Sequence, residues 1–564
     1  MSESAAPARP ASHVPAEPTR RLPRPGLRER LRRVPRTMWL VTGLWGSLLL
    51  AASVVWPVTY GYDEANHIDM VYAYSAKPFT FYAPGGLDVS QATIGLQHIL
   101  PGHPPKKKLA AVAMPARPDR PTLQQLGGHG ATTGPLNQMV QHPPLYYELT
   151  ALVTHVPGWS GLPWDLAVWL LRLPSILFML PVPLLCWAAA RRLLPAVLPP
   201  ETPQRTIDSL ATMAAVAPMT LPNLIRDGSS VTNDSLLIAL TALITYLLCR
   251  VLTGDLGRRT AVAVGVSLAA ALLTKGFALV LPPVIAAAYL VGYLRSRTTT
   301  GRGPRVLFAP VAIAAVGGAV GGLWWLRNLV RFGVVEVNGF GPHANVGPDV
   351  GHGQLVRFGP QFLTAFVERI WGGIGYADAP RMSPVLTFGA FAVFGVGALI
   401  ALVCRGLPGT RRAHWVLAAV PVLSVAVVAA GSYGAYVHHA NLPPQASQGR
   451  YVYQAIVVSC ALGAVGFCAV LERRAQAWIT PILLTLALVV NATSWGLILR
   501  SWYAASSSAP LLRKTLNGFH ALLGFSPLPE VVVALGVLVA PVALGVATLV
   551  ATVRDARRLS APVA

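Results

Sequence analysis

An all-α polytopic membrane protein is the fold class this chain predicts, and three observations predict it. Of its 564 residues, 53% are hydrophobic and only 12% are charged, with a mean hydropathy of +0.52. Apolar stretches recur at roughly the 18–25 residues a helix needs to cross a bilayer core. A spanning segment must satisfy its own backbone hydrogen bonds, so runs rich in Ala, Leu and Val imply a helical bundle. Finally, arginines punctuate the ends of these runs, which is the pattern of orientation by the positive-inside rule. That distribution accounts for a formal charge of +23, from 45 Lys+Arg against 22 Asp+Glu, without nucleic acid. No basic, aromatic-interleaved soluble domain is present. Cys186, Cys249, Cys404, Cys460 and Cys468 are scattered in or at the ends of apolar runs, which argues against both a disulfide framework and a zinc site.

Residues 1–36, rich in Pro, Ala and Arg, read as a disordered basic cytoplasmic tail. The apolar run 38–58 is too long for a signal-peptide core and reads as a retained first helix. Residues 59–165 form a large first external loop bearing juxtamembrane helices, with a basic patch at Lys106, Lys107 and Lys108 and a Gly/Thr-rich stretch over 127–134. Within it, 149–156 either spans or lies in the interface. The interfacial choice puts Arg191 and Arg192 in the cytoplasm with the later basic connections, and sets Tyr146 and Tyr147 at headgroup level. Further spans follow at approximately 167–190, 206–224, 232–252, 260–276, 277–294, 306–330, 384–404, 413–436, 450–471, 476–499 and 529–552, about 12 in all with the first. A second external loop, 331–383, carries an interfacial helix over 360–371. Residues 501–564 supply an external segment, the last transmembrane helix and a cytoplasmic tail. Both termini are thereby placed in the cytoplasm and both large loops outside.

Chemistry concentrates just after the first span. Asp63, Glu64, Asn66, His67 and Asp69 fall within seven positions of residues 60–72. On a helix Asp63 and Glu64 diverge by about 100°, while Asp63 shares a face with Asn66 and His67. One carboxylate can then act as a general base and the other orient it, bind a metal or contact substrate. The bland alternative is acids favouring a helix dipole. No cofactor is demanded; a divalent cation is left open, with His67 and Asp69 as weak ligand candidates in an H-x-D pair. His142 precedes Pro143 and Pro144, whose ring constraints fix an extended approach; its imidazole can bind a phosphate oxygen or shuttle a proton, or it is an incidental corner residue. Asn223, Arg226, Asp227, Asn233 and Asp234 cluster where two spans meet, and polar groups at a bundle mouth are functional candidates; Asn233, Asp234 and Ser235 equally make a good helix start. Lys275, Arg327 and Arg450 are basic residues on the outer side, against the positive-inside trend, and invite an anionic partner; snorkelling is the alternative. Aromatics flanking glycines over 371–376 suggest a mobile lid or sugar platform, or a plain interfacial anchor.

Taken in order, these residues resemble the GT-C superfamily of polytopic glycosyltransferases that use polyprenyl-phosphate sugars. Asp63-Glu64 resembles its acidic motif in the first external loop. His142-Pro143-Pro144-Leu145 resembles the His-Pro-Pro motif of protein O-mannosyltransferases, at the position where aminoarabinose transferases carry a lysine near the lipid phosphate. Closer still is an uncharacterised bacterial predicted-membrane-protein branch, matched by 142–147, 233–236, 273–276, 325–328 and 448–451. The likeness covers roughly 38–475 and implies a GT-C-like catalytic module over 37–500, in a bacterial cytoplasmic membrane, with its active site facing outside. It implies a polyprenyl-phosphate sugar donor and a glycan, lipid or protein acceptor. Asp63, with Glu64 in support, would take the acceptor proton, and His142, Asp234, Lys275, Arg327 and Arg450 would bind substrate or phosphate. No soluble C-terminal domain for gripping a polymer acceptor is recognisable, which leaves the acceptor open. The rival reading is a multi-pass transporter or flippase of a lipid-linked or anionic substrate. Transporters favour midplane charges in broken helices and internal repeats, whereas here the ionisable residues gather at one surface and no repeat is evident. A lipid-linked glycan polymerase or ligase would carry large arginine-rich loops between later spans.

Overall fold

The computed structural model describes residues 34–100, 109–130, 134–301, 303–341, 355–374, 380–404, 406–407, 409–438, 448–505 and 508–561. Residues 1–33 of the expected tail and the basic patch at Lys106, Lys107 and Lys108 lie outside them, as do parts of the Gly/Thr-rich stretch 127–134 and of the second loop 331–383. Helix α1 (Arg36–Val55) opens the bundle. An excursion follows with α2 (Glu64–Ala76), α3 (Gln91–Ile99) and α4 (Leu145–Ala151). Helices α5 (Trp164–Met179) and α6 (Val182–Leu193) run on as one long apolar element. The shorter α7 (Gln204–Val216) and α8 (Pro222–Gly228) lead into α9 (Asn233–Leu252). Then come α10 (Arg258–Leu272), α11 (Leu281–Thr300) and α12 (Phe308–Phe332). A second excursion holds α13 (Leu355–Val367), before α14 (Pro384–Val403), α15 (Thr410–His438), α16 (Ile456–Val470) and α17 (Arg473–Ile498). The chain closes with α18 (Leu511–Phe525), α19 (Glu530–Ala534) and α20 (Ala540–Ser560).

Among the described residues there is no strand, only isolated bridges, and ten helices are long and apolar enough to cross a membrane. These match ten of the expected spans. The other two, 206–224 and 260–276, are helices of 13 and 15 residues that give way to 3-10 turns beside Pro218 and Lys275. Helix α9 is the hub: it packs against α5, α6, α10, α11, α15 and α16. Its start is set by Thr232, whose hydroxyl accepts from the Asp234 amide. Helix α12 lies at the periphery and exposes Leu323, Leu326 and Val330, as a lipid-facing element can.

The first excursion is a built structure. Asp69 accepts from the Ser90 amide and hydroxyl, the Thr93 hydroxyl and the Asn137 amide nitrogen, tying α2 to α3 and to the chain before His142. Arg117 and Arg120 donate to the carbonyls of Leu523, Gly524 and Ser526 at the end of α18, and Arg120 also pairs with buried Asp165. Cations at a helix C-terminus satisfy its last carbonyls. The segment 145–155 is one short helix and a 3-10 turn with Leu152 exposed, too short to span, as the interfacial choice expects. Tyr146 and Tyr147, expected at headgroup level, are instead fully buried. The Tyr146 hydroxyl meets Ser175 and accepts from the Thr232 amide, so satisfied hydrogen bonds draw it inward.

Close helix pairs depend on glycine. A Cβ on Gly317 of α12 would overlap the backbone of Gly265 in α10, and one on Gly466 of α16 that of Gly397 in α14; small residues let membrane helices approach in this way. Gly322 has open space around it. Gly317→Ala is therefore expected to cost about 1–3 kcal/mol through overpacking, whereas Gly322→Ala should be neutral or gain up to about 1 kcal/mol. Thermal unfolding of the two purified variants checks the contrast.

Candidate active site

One guanidinium shapes the turn after α1. Arg172, 1% exposed, uses all five of its N–H groups. It donates to the carbonyls of Ser53, Trp56 and Pro57 and grips Glu64 twice, through Nε to Oε1 at 2.8 Å and Nη2 to Oε2 at 2.7 Å. Glu64 also accepts from the Gly61 and Val231 amides. It is thus committed to the scaffold and does not stand beside Asp63 as a second free carboxylate. The turn it closes has two non-glycine residues in left-handed conformation, Thr59 (φ 68°) and Asp63 (φ 54°). Such backbone is uncommon and persists where surroundings over-determine it. Asp63 therefore precedes α2 rather than sharing a helical face with Asn66 and His67, which corrects the sequence expectation.

The left-handed turn directs Asp63 toward a chain of alternating charges. Its Oδ2 accepts from Arg450 Nη2 at 2.6 Å, and its Oδ1 has Gln138 Nε2 at 3.4 Å. Arg450 Nη1 lies 3.8 Å from Asp234 Oδ2, and Lys275 Nζ donates to Asp234 Oδ1 at 2.7 Å. Asp63 keeps 26% of its side-chain surface exposed, against 5% or less for the other three. Tyr62 braces the cations: its ring lies 3.6 Å from the Arg226 guanidinium carbon and 4.7 Å from that of Arg450, within cation–π range. Arg226 is fully buried and donates through Nη1 to the Ile374 carbonyl. Its Nε and Nη2, and Nε of Arg450, have no hydrogen-bond partner among the described residues. Asp227 is buried beside it, and burial pushes its carboxyl up to about 7 despite the neighbouring Arg226.

Two imidazoles close the other side. His67 and His142 are stacked, centroids 6.4 Å apart and 7° from parallel, and His67 Nδ1 meets the Tyr147 hydroxyl at 2.9 Å. Burial, then the charge of Lys275, holds both well below the ordinary imidazole range, so both rings are neutral at pH 7.

Of the residues singled out in the sequence, the structure thus brings together Asp63, Asp234, Lys275 and Arg450, with His142 close enough to feel their charges. Arg327 has no described contact with them; its guanidinium lies over Phe81 and Trp324 and donates to Asn328. His67 and Asp69 do not converge: one faces Tyr147 and His142, the other Ser90, Thr93 and Asn137. Among the described residues no group of three or more His, Cys, Asp or Glu side chains is placed to hold a metal ion. The divalent cation left open by the sequence finds no such ligand set there. The glycines at 372 and 373, read from the sequence as part of a mobile lid, a sugar platform or a plain interfacial anchor, are buried, and Asn223 donates to the Gly373 carbonyl and Arg226 to that of Ile374, which pins 373–374; Tyr376 lies outside the described residues. Sequence reasoning gave no role to Tyr62 as a brace. The signal was an aromatic next to Asp63, but only the fold shows that two distant arginines flank it.

The chain matches the model of the dolichyl-phosphate-mannose-protein mannosyltransferase family over residues 141–317. The match includes His142, Asp234 and Lys275 and bears out the resemblance to polyprenyl-phosphate-dependent GT-C glycosyltransferases read from the sequence. No curated protein matches the chain in sequence. Among solved structures it is similar to arabinosyltransferase EmbB from Mycobacterium smegmatis, at 14% identity and a TM-score of 0.39, over 96% of this chain and 43% of that one. It is also similar to ArnT from Cupriavidus metallidurans bound to undecaprenyl phosphate, at 14% identity and a TM-score of 0.45, over 93% and 76%. A third is the Archaeoglobus fulgidus oligosaccharyltransferase, at 12% identity and 0.36, over 91% and 55%. The chain thus spans less than half the length of the arabinosyltransferase.

The two imidazoles set a pH dependence. Unfolded, they bind protons near pH 6.5; folded, they resist to lower pH. Stability is accordingly greatest above pH 6.5 and falls as pH drops below it, by up to about 1.4 kcal/mol per group per pH unit. Melting temperatures of purified protein between pH 7.5 and 5 should fall more steeply for the wild type than for His67→Gln/His142→Gln. Equal slopes would contradict the assignment.

Proposed function

We propose that the chain is a membrane glycosyltransferase that moves a sugar from a polyprenyl-phosphate donor to an acceptor hydroxyl, in cell-envelope glycan, glycolipid or glycoprotein synthesis. The observation that carries this reading is the charge chain Asp63–Arg450–Asp234–Lys275, in which only Asp63 is substantially exposed. A partly exposed carboxylate beside buried cations suits a reaction that removes a proton from one partner and releases an anion from the other. Support comes from the family match, which spans three of the residues involved, and from ten helices apolar enough to cross a membrane.

In this reading the acceptor hydroxyl attacks the anomeric carbon. The carbon–oxygen bond to phosphate breaks, its electron pair leaves on the polyprenyl phosphate, and the hydroxyl proton passes to Asp63. A single displacement inverts the anomeric centre. The leaving phosphate needs positive partners more than a general acid. The unpartnered N–H groups of Arg226 and Arg450 are fitted to that role, since guanidinium forks match phosphate oxygens. His142, neutral, can donate one hydrogen bond to the same group, and Lys275 holds Asp234 in register with Arg450. Glu64 acts through the scaffold, by fixing the turn that presents Asp63. Arg327, whose guanidinium lies over Phe81 and Trp324, stands in our reading apart from the reacting atoms. The positive-inside pattern supports termini in the cytoplasm and a site facing outside, with 37–500 as the catalytic module.

The test is transfer of labelled sugar from synthetic polyprenyl-phosphate sugars by purified protein, with the product anomer read by NMR. Asp63→Asn should lower the rate at least about 100-fold while leaving donor binding intact. Arg450→Gln or Arg226→Gln should lower it about 100- to 1,000-fold. Full transfer by Asp63→Asn would remove that residue as the base. Alternating-side access without loss of sugar from the donor would instead favour a flippase.

A further inference from the structure

A polar cavity lies at the end of the bundle opposite the charge chain. Helix α9 carries Asp234 at its start and ends at Leu252, about 30 Å away at 1.5 Å per residue. Around that far end, between the ends of α6, α9 and α11 and the beginnings of α7 and α15, is a cavity of about 530 Å³. Arg191, Arg192, Arg295 and His414 line it with Trp187 and Tyr246, and no Asp or Glu is among its described lining residues. Two contacts hold Arg191 in place: Nε pairs with Asp208 at 2.5 Å, and the guanidinium lies 5.1 Å from the Trp187 ring. Trp187 is itself fixed by donating to the Asp208 carbonyl. The Nδ1 of buried His414 is engaged with the Ala401 carbonyl at 2.7 Å. Arg192 is exposed.

Orientation by positive charge explains why arginines stand at these helix ends, but not why three of them line one half-open cavity. Basic pockets between transmembrane helices take up phosphate headgroups, and the volume is in the range of ligand sites. Trp187 and Tyr246 are the amphipathic rings found at headgroup depth. We propose that this cavity is a binding site for the phosphate group of an anionic lipid, separate from the charge chain at Asp63 and independent of the function proposed for it. Free phosphate shares the chemistry and is separated from lipid by the test.

Purified full-length protein is incubated with phosphatidylglycerol or phosphatidylcholine and bound lipid is read by native mass spectrometry; a parallel arm measures thermal protection by inorganic phosphate. Preferential retention of phosphatidylglycerol is expected, reduced about tenfold or more in Arg192→Gln/Arg295→Gln. The exposed neighbours Arg411 and Arg412 provide the control, and Arg411→Gln/Arg412→Gln should leave retention unchanged. Arg192→Gln alone, at an exposed position, repeats the comparison should the double variant not fold. Protection by inorganic phosphate that Arg192→Gln abolishes, with no lipid retained, supports the phosphate site and assigns a soluble source. Equal retention of both lipids with no phosphate protection, or equal loss in the control pair, overturns the proposal.

Discussion

The grip of Arg172 on Glu64 is the interaction on which the rest of the site depends. Two opposite charges almost without solvent contact are tolerable only if every donor and acceptor is satisfied, and here all five guanidinium N–H groups are used. Removing one partner from such a pair costs about 3–5 kcal/mol, because the other is left charged and buried. The pair binds the end of α1 to α5, and through the Val231 amide to the approach of α9. With Glu64 held there, the backbone before it is forced through left-handed conformations at Thr59 and Asp63. Adjacent acids thus come to have different work.

A second constraint follows from burying several cations in an apolar bundle. Charges in such surroundings are expensive unless paired. The solution is alternation: Asp63, Arg450, Asp234 and Lys275 each neutralise a neighbour, while aromatic faces of Tyr62 and Tyr451 supply a softer partner to the cations. Arg226 is only partly satisfied in this way: its Nε and Nη2 have no hydrogen-bond partner among the described residues. The two neutral imidazoles add hydrogen bonding without adding charge.

Much of the fold was legible in the sequence because a bilayer restricts the choices. Ten of about twelve apolar runs are helices of spanning length. The two exceptions, near Pro218 and Lys275, break where polar or ring-constrained residues interrupt the run. That 145–155 is too short to span agrees with the choice made from the placement of Arg191 and Arg192. What hydropathy could not reveal was the inward turn of Tyr146 and Tyr147, since a tyrosine suits a headgroup layer and a satisfied core equally well.

For the site, the sequence by itself determined which residue types are available and at which ends of the helices they stand: acids after the first span, cations at later span ends. Tertiary structure alone decided their partners. Lys275 and Asp234 are 41 positions apart, and Asp63 and Arg450 are 387 apart, separations at which no local periodicity carries information. It also separated Glu64 from Asp63 and Arg327 from the charge chain, and pinned 373–374, where glycine spacing suggested motion. The stretch after the first helix announced itself by composition. Which of its neighbouring acids stays partly exposed was decided by packing: Arg172 takes Glu64 wholly into the scaffold, while Asp63, paired with Arg450, keeps 26% of its side-chain surface in contact with solvent.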